Sequence, residues 1–245
     1  MQAQFTYTTN AGAITITGYT GTNGSVAIPS TIYGLPVTSI GNEAFESKSS
    51  ITNITIPGSI TNIGESAFAS CTNLTNVNFS QGVTSINGFY DCPSLTNVTI
   101  PASVTNFQGG AFRDCTNLTR LFFAGNAAGV DGYDIFSGER PTVYRLPGAS
   151  GWSNTFDGLD ASLPVVIWNP LFQVSGANFG VSNHKFGFTI TNGSTTNIPI
   201  VIEACSNLAN PIWTPSTSLT LTNTFHFSES LPTNSFSRFY RIRSP

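Results

Sequence analysis

The stretch Leu95-Thr-Asn-Val-Thr-Ile-Pro-Ala-Ser-Val-Thr-Asn-Phe-Gln-Gly-Gly-Ala-Phe-Arg-Asp-Cys-Thr-Asn117 decides the fold, because it has a near-copy upstream. That copy is Ile51-Thr-Asn-Ile-Thr-Ile-Pro-Gly-Ser-Ile-Thr-Asn-Ile-Gly-Glu-Ser-Ala-Phe-Ala-Ser-Cys-Thr-Asn73. A shorter version runs from Leu74 to Ser94, and a further one opens at Leu118. The starts at 51, 74, 95 and 118 are separated by 23, 21 and 23 residues. A fixed period of this length marks a solenoid. Each copy opens on an alternating apolar run and then a shorter one, which reads as two strands. Segments such as Glu65-Ser-Ala-Phe-Ala-Ser70 are expected to add one helical turn. A single copy cannot bury enough apolar surface to offset the backbone entropy it loses. The copies must therefore stack in register, with Phe45, Phe68 and Phe112 inside and Cys71, Cys92 and Cys115 in one column.

Outward from this core, repeat one begins near Ser25-Val-Ala-Ile-Pro29 and is stretched by Tyr33-Gly-Leu-Pro36. Ahead of it, Phe5-Thr-Tyr-Thr-Thr9 and Ala13-Ile-Thr-Ile-Thr-Gly-Tyr19 flank Asn10-Ala-Gly12 and read as a β-hairpin over the apolar end of the stack. Repeat three lacks two residues at Ile86-Asn-Gly-Phe-Tyr-Asp-Cys92, so Phe89 or Tyr90 must take the buried aromatic slot. A neutral deletion is favoured there over a functional notch. Repeat five decays after Ala124: residues 125–138 read as loop, 141–147 as a strand, 148–158 as turns and 163–168 as a closing strand. Asn169-Pro170 is the boundary signal. Beyond it the period is lost, and alternating runs at 185–193, 198–205, 218–222, 224–228 and 238–243 suggest a small antiparallel β-sandwich. The expected fold is thus mainly β, with a capping hairpin at 1–24, a solenoid with an irregular closing segment at 25–168, and a β-sandwich at 169–245.

Residues 25–124 resemble the BspA-like leucine-rich repeats of bacterial surface proteins. The resemblance is carried by Ile56-Pro57, Ile63-Gly64, Ala67-Phe68 and Cys71, and again by Ile100-Pro101, Ala111-Phe112 and Cys115. The tail, with Glu203-Ala-Cys-Ser-Asn-Leu-Ala-Asn-Pro-Ile-Trp213 and Arg238-Phe-Tyr-Arg-Ile-Arg243, is similar to a C-terminal module of secreted bacterial repeat proteins. The first resemblance implies a leucine-rich-repeat solenoid and surface display, adhesion or protein binding. No binding residue carries over, because such proteins vary in ligand.

The net charge is -3, charged residues are 9% of the chain, and Lys48 and Lys185 are the only lysines, so no basic stripe offers itself to nucleic acid. No apolar run is long enough to form a transmembrane segment. Polarity supplied by Thr, Ser and Asn leans toward a secreted or cell-surface protein. Gln2-Ala3-Gln4 would suit the residues at a signal-peptidase site, with the leader replaced by Met1. Elbow, zinc-helix and phosphate-loop signatures are missing from the sequence, so a non-catalytic protein without cofactor or metal is expected. The three aligned cysteines read as buried free thiols; neighbours could pair, but three cannot all do so. Asp131, Asp134, Asp157 and Asp160 match no calcium-loop spacing and read as turn formers.

Alternation points Asn53, Thr55, Asn76, Asn78, Asn97, Thr99, Arg120 and Phe122 away from the core. These residues are expected to form one flat ladder that contacts a protein or glycan, with Arg120 and an exposed Phe122 as anchors. The alternatives are a merely solvated face, or a structural subunit that self-associates end to end into a filament or surface layer.

Overall fold

The computed structural model describes residues 4–131, 135–136, 140–153, 155–158, 161–173, 175–176, 178–193, 197–230 and 237–245. The chain divides into two compact units, Met1–Val165 and Val166–Pro245. Among the described residues every regular element is a strand, and no α-helix occurs.

In the first unit each coil of the chain has three sides. The first side carries parallel strands at Ser25–Ala27, Asn53–Ile56 and Asn76–Phe79, in one sheet. A second sheet on this side takes Asn97–Ile100, Arg120–Phe123 and Thr142–Arg145, closed by Ala161–Ile167 and Thr155–Gly158. The register sets equivalent residues of successive copies side by side, as in Ile54 with Val77 and Val98 with Leu121. Alternate residues of these strands (Ile54, Ile56, Val77, Val98, Ile100, Leu121) are buried in the core. At the corner leading off this side the coils touch backbone to backbone. A Cβ on Gly58 would lie 1.8 Å from the carbonyl oxygen of Gln81.

The second side pairs Ala13–Tyr19, Leu35–Ile40 and Asn62–Ile63 in parallel. A separate sheet there holds Ser85–Ile86, Asn106–Gln108 and Gly129–Asp131. Phe5–Asn10 pairs antiparallel with Ala13–Tyr19 around Ala11 and Gly12, both at positive φ, so the hairpin forms the first rung of this side. Strands at Gly129–Asp131 and Thr155–Gly158 correct the reading of 125–138 as loop and 148–158 as turns alone. Their pairing comes from Asn106–Gln108 and Ala161–Ile167, which local composition does not report.

The third side is where the expected helical turn fails. Ala67, Ala69 and Cys71 donate N–H bonds within their own coil, to Gly64, Ser66 and Phe68. The intervening Phe68 and Ser70 donate instead to Gly88 and Tyr90 of the next coil. Each tight turn ends on a left-handed residue before it can propagate, with positive φ recurring at Glu43 and Ser47, Ser66 and Ser70, and Gly110 and Asp114. Two of these five N–H groups are thereby given to the neighbouring coil.

Inside these three sides runs an aromatic spine. Tyr19, Phe45, Phe68, Phe89, Phe112 and Phe136 stack in order, with centroids 5.6, 4.9, 4.8, 5.7 and 6.1 Å apart. Phe45, Phe68 and Phe112 are fully buried, as the period predicts, and Phe89 fills the slot in the short third coil. Phe5 of the hairpin leans on Tyr19 and Phe45.

The second unit contains two antiparallel sheets. Lys185–Asn192 pairs with Pro170–Gln173, Gly180–Ser182 and Thr224–Ser230, and Ile198–Cys205 is flanked by Thr214–Leu221 and Phe239–Arg243. All eight residues of Ile198–Cys205 are buried. The Tyr240 ring of one sheet stacks on Phe186 of the other at 5.1 Å and meets Phe188 and Phe227 edge-on. Glu203, nearly inaccessible, accepts Nε–H bonds from Arg241 at 2.7 Å and from Arg243 at 2.6 Å. Both bonds tie Phe239–Arg243 to the central strand.

Candidate binding face

The strands of the first side set the outward residues in rows. Asn53 lies beside Asn76 and Thr55 beside Asn78. Asn97 lies beside Arg120, which lies beside Thr142; Thr99 lies beside Phe122, which lies beside Tyr144. Asn76, Asn78 and Thr99 are exposed, while Asn53, Thr55, Asn97 and Arg120 are half-buried. The preceding threonines lock the rows: Thr52, Thr75 and Thr119 donate their hydroxyls to carbonyls of Gly24, Thr52 and Thr96 at 3.0, 3.0 and 3.2 Å. Asn53 and Asn97 turn their amides onto the hydroxyls of Thr52 and Thr96.

Two expectations need correction. The eight residues do not form one ladder, because Asn76–Phe79 and Asn97–Ile100 belong to different sheets. The break falls where the copy spacing drops to 21 residues. Phe122, expected as an exposed anchor, is only 4% accessible and stacks on Tyr144 at 4.8 Å and 15°. Arg120 interacts with the same phenol; burial drives the Tyr144 hydroxyl above its ordinary pKa against the pull of that guanidinium. Arg120, Phe122 and Tyr144 therefore form one packed cluster. Tyr144 was overlooked, although the strand expected at 141–147 places it in the row of Phe122.

The aligned cysteines are free and buried. Each thiol faces a peptide carbonyl of an earlier coil: Cys71 donates to Phe45 at 3.1 Å, Cys92 to Phe68 at 3.3 Å and Cys115 to Phe89 at 3.1 Å. Burial lifts the Cys71 pKa to about 11, and the hydrogen bond with Cys115 together with burial lifts that of Cys92 further. Such thiols are poor nucleophiles and poor ligands. Among the described residues no cluster of His, Cys, Asp and Glu could hold a metal. Asp131 accepts a bond from the Asn106 amide at 2.8 Å; Asp134 and Asp160, with the side chain of Asp157, lie outside the described residues. His226 Nδ1 sits 2.8 Å from the buried Thr189 hydroxyl, its cross-strand partner.

Residues 37–138 match the model of the BspA-type leucine-rich-repeat region in six copies. Among solved structures, a leucine-rich-repeat protein of T. pallidum is 28% identical, with a TM-score of 0.54, over 59% of this chain and 69% of that one. One from Bacteroides capillosus is 32% identical, with a TM-score of 0.45, over 50% of this chain and 95% of that one. Another, from Bacteroides ovatus, is 26% identical with a TM-score of 0.49, over 59% of this chain and 40% of that one. No curated protein matches the chain. The six copies, their period and their parallel register agree with one another, and the chain belongs to the BspA-type leucine-rich-repeat family.

Proposed function

We propose that this protein is a non-catalytic binding module, secreted or held at the cell surface, that contacts a protein partner through the outward rows of its first side. The observation that carries the reading is the pairing of Asn53 with Asn76 and of Thr55 with Asn78 on a locked parallel ladder. It presents uncharged donors and acceptors on a rigid support, so little side-chain entropy is lost on contact. Solenoids bind along such extended faces. The low share of charged residues supports a location outside the cytoplasm, and the family supports protein binding over catalysis. Asn76, Asn78 and Thr99 are the contacts this reading favours. Arg120 contributes through its place beside Phe122 and Tyr144, whereas Phe122 acts as support.

The test is an array of extracellular proteins and glycans, probed with the full chain and with an Asn76→Ala, Asn78→Ala, Thr99→Ala variant. The triple variant should keep its melting temperature and lose binding to a protein target by about tenfold or more, the loss of roughly one good contact. Unchanged binding of a protein target by the triple variant would sink the reading, and a signal from glycans alone that the triple variant loses would replace the partner class. End-to-end self-association draws less support. The terminal strand Phe5–Asn10 presents Thr6, Thr8, Thr9 and Asn10 to solvent and carries a register shift at Thr6/Tyr7, both of which blunt a sheet edge.

A further inference from the structure

The two residues missing from the third coil leave a notch on the third side. It has a volume of about 230 Å³ and is lined by Glu65, Asn87, Tyr90 and Arg113, together with Ser66, Gly88, Gly109 and Gly110. The hydrogen-bond pattern explains its chemistry. Between the first two coils, the Glu43 N–H donates to the Glu65 carbonyl. The same rung, carried forward, would run from the Ser66 N–H to the third coil, and from the third coil to the Gly109 carbonyl. The deletion Ile86-Asn-Gly-Phe89 removes the residues that would complete both. Neither the Ser66 N–H nor the Gly109 carbonyl has a partner among the described residues. A donor and an acceptor thus stand unpaired among the lining residues, one on the coil before the notch and one on the coil after it.

The rest of the lining is equally suited to a ligand. Asn87 partly bridges the gap, its amide donating to Gln108 Oε1 at 2.9 Å while its Oδ1 accepts from Gly88 N–H at 2.8 Å. Tyr90, which takes the position of Ala69 in the second coil, is 39% exposed, with the Arg113 guanidinium over one face of its ring, 5.8 Å from the centroid. A Cβ on Gly110 would meet nothing within 4 Å, so that wall is open. Among the lining residues the charges of Glu65 and Arg113 cancel, and Arg113 also lies 3.5 Å from Asp114, so the notch does not favour an anion. An aromatic ring, an open peptide donor and acceptor, and no excess of positive charge describe the complement of a neutral polyhydroxylated ring.

We propose that the notch of the third coil is a binding subsite for a single neutral pyranose ring, packed against the part of the Tyr90 ring that Arg113 leaves open and hydrogen-bonded to Ser66 N–H and Gly109 C=O. This site lies on a different side of the coil from the outward rows, and its test is independent of theirs. The probes are methyl glycosides of glucose, galactose, mannose and N-acetylglucosamine, with N-acetylneuraminic acid as the anionic control. Binding is read from amide shifts of the isotope-labelled full chain. At least one neutral glycoside should shift the Ser66, Gly88, Gly109 and Gly110 amides saturably, with a millimolar Kd as expected of one small ring. Tyr90→Ala should weaken it about tenfold or more. Inserting Ser-Ala between Gly88 and Phe89, which restores the spacing of the fourth coil, should abolish it. The Asn76→Ala, Asn78→Ala, Thr99→Ala variant should leave it unchanged. The proposal is overturned if no neutral glycoside shifts these amides up to about 50 mM, far above a millimolar Kd. It is overturned equally if Tyr90→Ala or the insertion binds as the parent does, or if the anionic sugar is preferred.

Discussion

Truncating Phe68 tests the idea that the coils are held as one body by their shared spine. The ring is fully buried between Phe45 at 4.9 Å and 20° and Phe89 at 4.8 Å and 8°. Phe68→Ala removes a buried aromatic whose loss costs about 3–5 kcal/mol, cavity included. Of that, the two stacked contacts account for about 1–3 kcal/mol beyond simple area. Phe68→Leu keeps most of the bulk and loses the stacking, so its cost should be about 1–2 kcal/mol. In a body of this size each kcal/mol moves the melting temperature by roughly 2–4 °C, which puts Phe68→Ala roughly 6–20 °C below the parent. Near-UV circular dichroism reads the unfolding of the aromatic column directly. Hydrogen exchange should show lost protection on both sides of the cut, at Phe45 N–H, which is bonded to Ala67, and at Ser70 N–H, which is bonded to Tyr90. Tyr33→Ala, at a site 79% exposed, serves as the control and should stay within about 0.5 kcal/mol. A Phe68→Ala loss below about 1 kcal/mol would refute the spine as the source of cooperativity.

The remaining predictions concern protonation. Cys71, raised from 9.0 to about 11, keeps its proton in the folded state while the unfolded thiol ionises above 9. Its stabilisation is therefore complete below pH 9 and fades as pH rises to 11, by about 2–3 kcal/mol for a shift of this size. The stability gap between the parent and Cys71→Ser, measured by urea unfolding, should narrow across that window; a constant gap would refute it. For Glu203, burial alone raises the pKa, but the hydrogen bonds and charges of Arg243 and Arg241 together bring it below its ordinary value. Its contribution is present above pH 4.5 and lost as pH falls through the lower folded value. Glu203→Gln should cost about 2–3 kcal/mol at neutral pH, discounted because both guanidinium groups are partly exposed, and the deficit should shrink in acid. A deficit unchanged at pH 3 would show that packing, not charge, holds Phe239–Arg243.

How much of this fold was legible depended on where each hydrogen bond closes. The strands of the first two sides repeat their own alternation, so Ile54, Ile56, Val98 and Ile100 announced themselves as inward from a single copy. The third side did not. Glu65-Ser-Ala-Phe-Ala-Ser70 is composed of residues a helix accepts, and nothing within those six residues shows that Phe68 and Ser70 give their N–H groups to a coil some 20 residues away. The left-handed φ at Ser66 and Ser70 is the local consequence of that distant bond, and it costs these residues about 1–2 kcal/mol each in isolation. Gly129–Asp131 was missed for the same reason, since its partner Asn106–Gln108 supplies the extended conformation.

The candidate sites follow the same division. Inward and outward could be read from alternation, but exposure could not, because it depends on what a neighbouring strand places alongside. Phe122 pointed outward in its row and was nonetheless buried by Tyr144, whose strand belongs to a copy that the repeat pattern had ceased to mark. The short third coil shows the converse. Its deletion was plain in the sequence and neutral for the core, since Phe89 keeps the ring spacing at 4.8 and 5.7 Å. On the outside it was not neutral: the ladder on the first side stops between Asn76–Phe79 and Asn97–Ile100, and that on the second side between Asn62–Ile63 and Ser85–Ile86. A stack can absorb two missing residues through one side chain that slides into place. A hydrogen-bonded ladder cannot, because each absent peptide leaves a donor or an acceptor open on the coils above and below it.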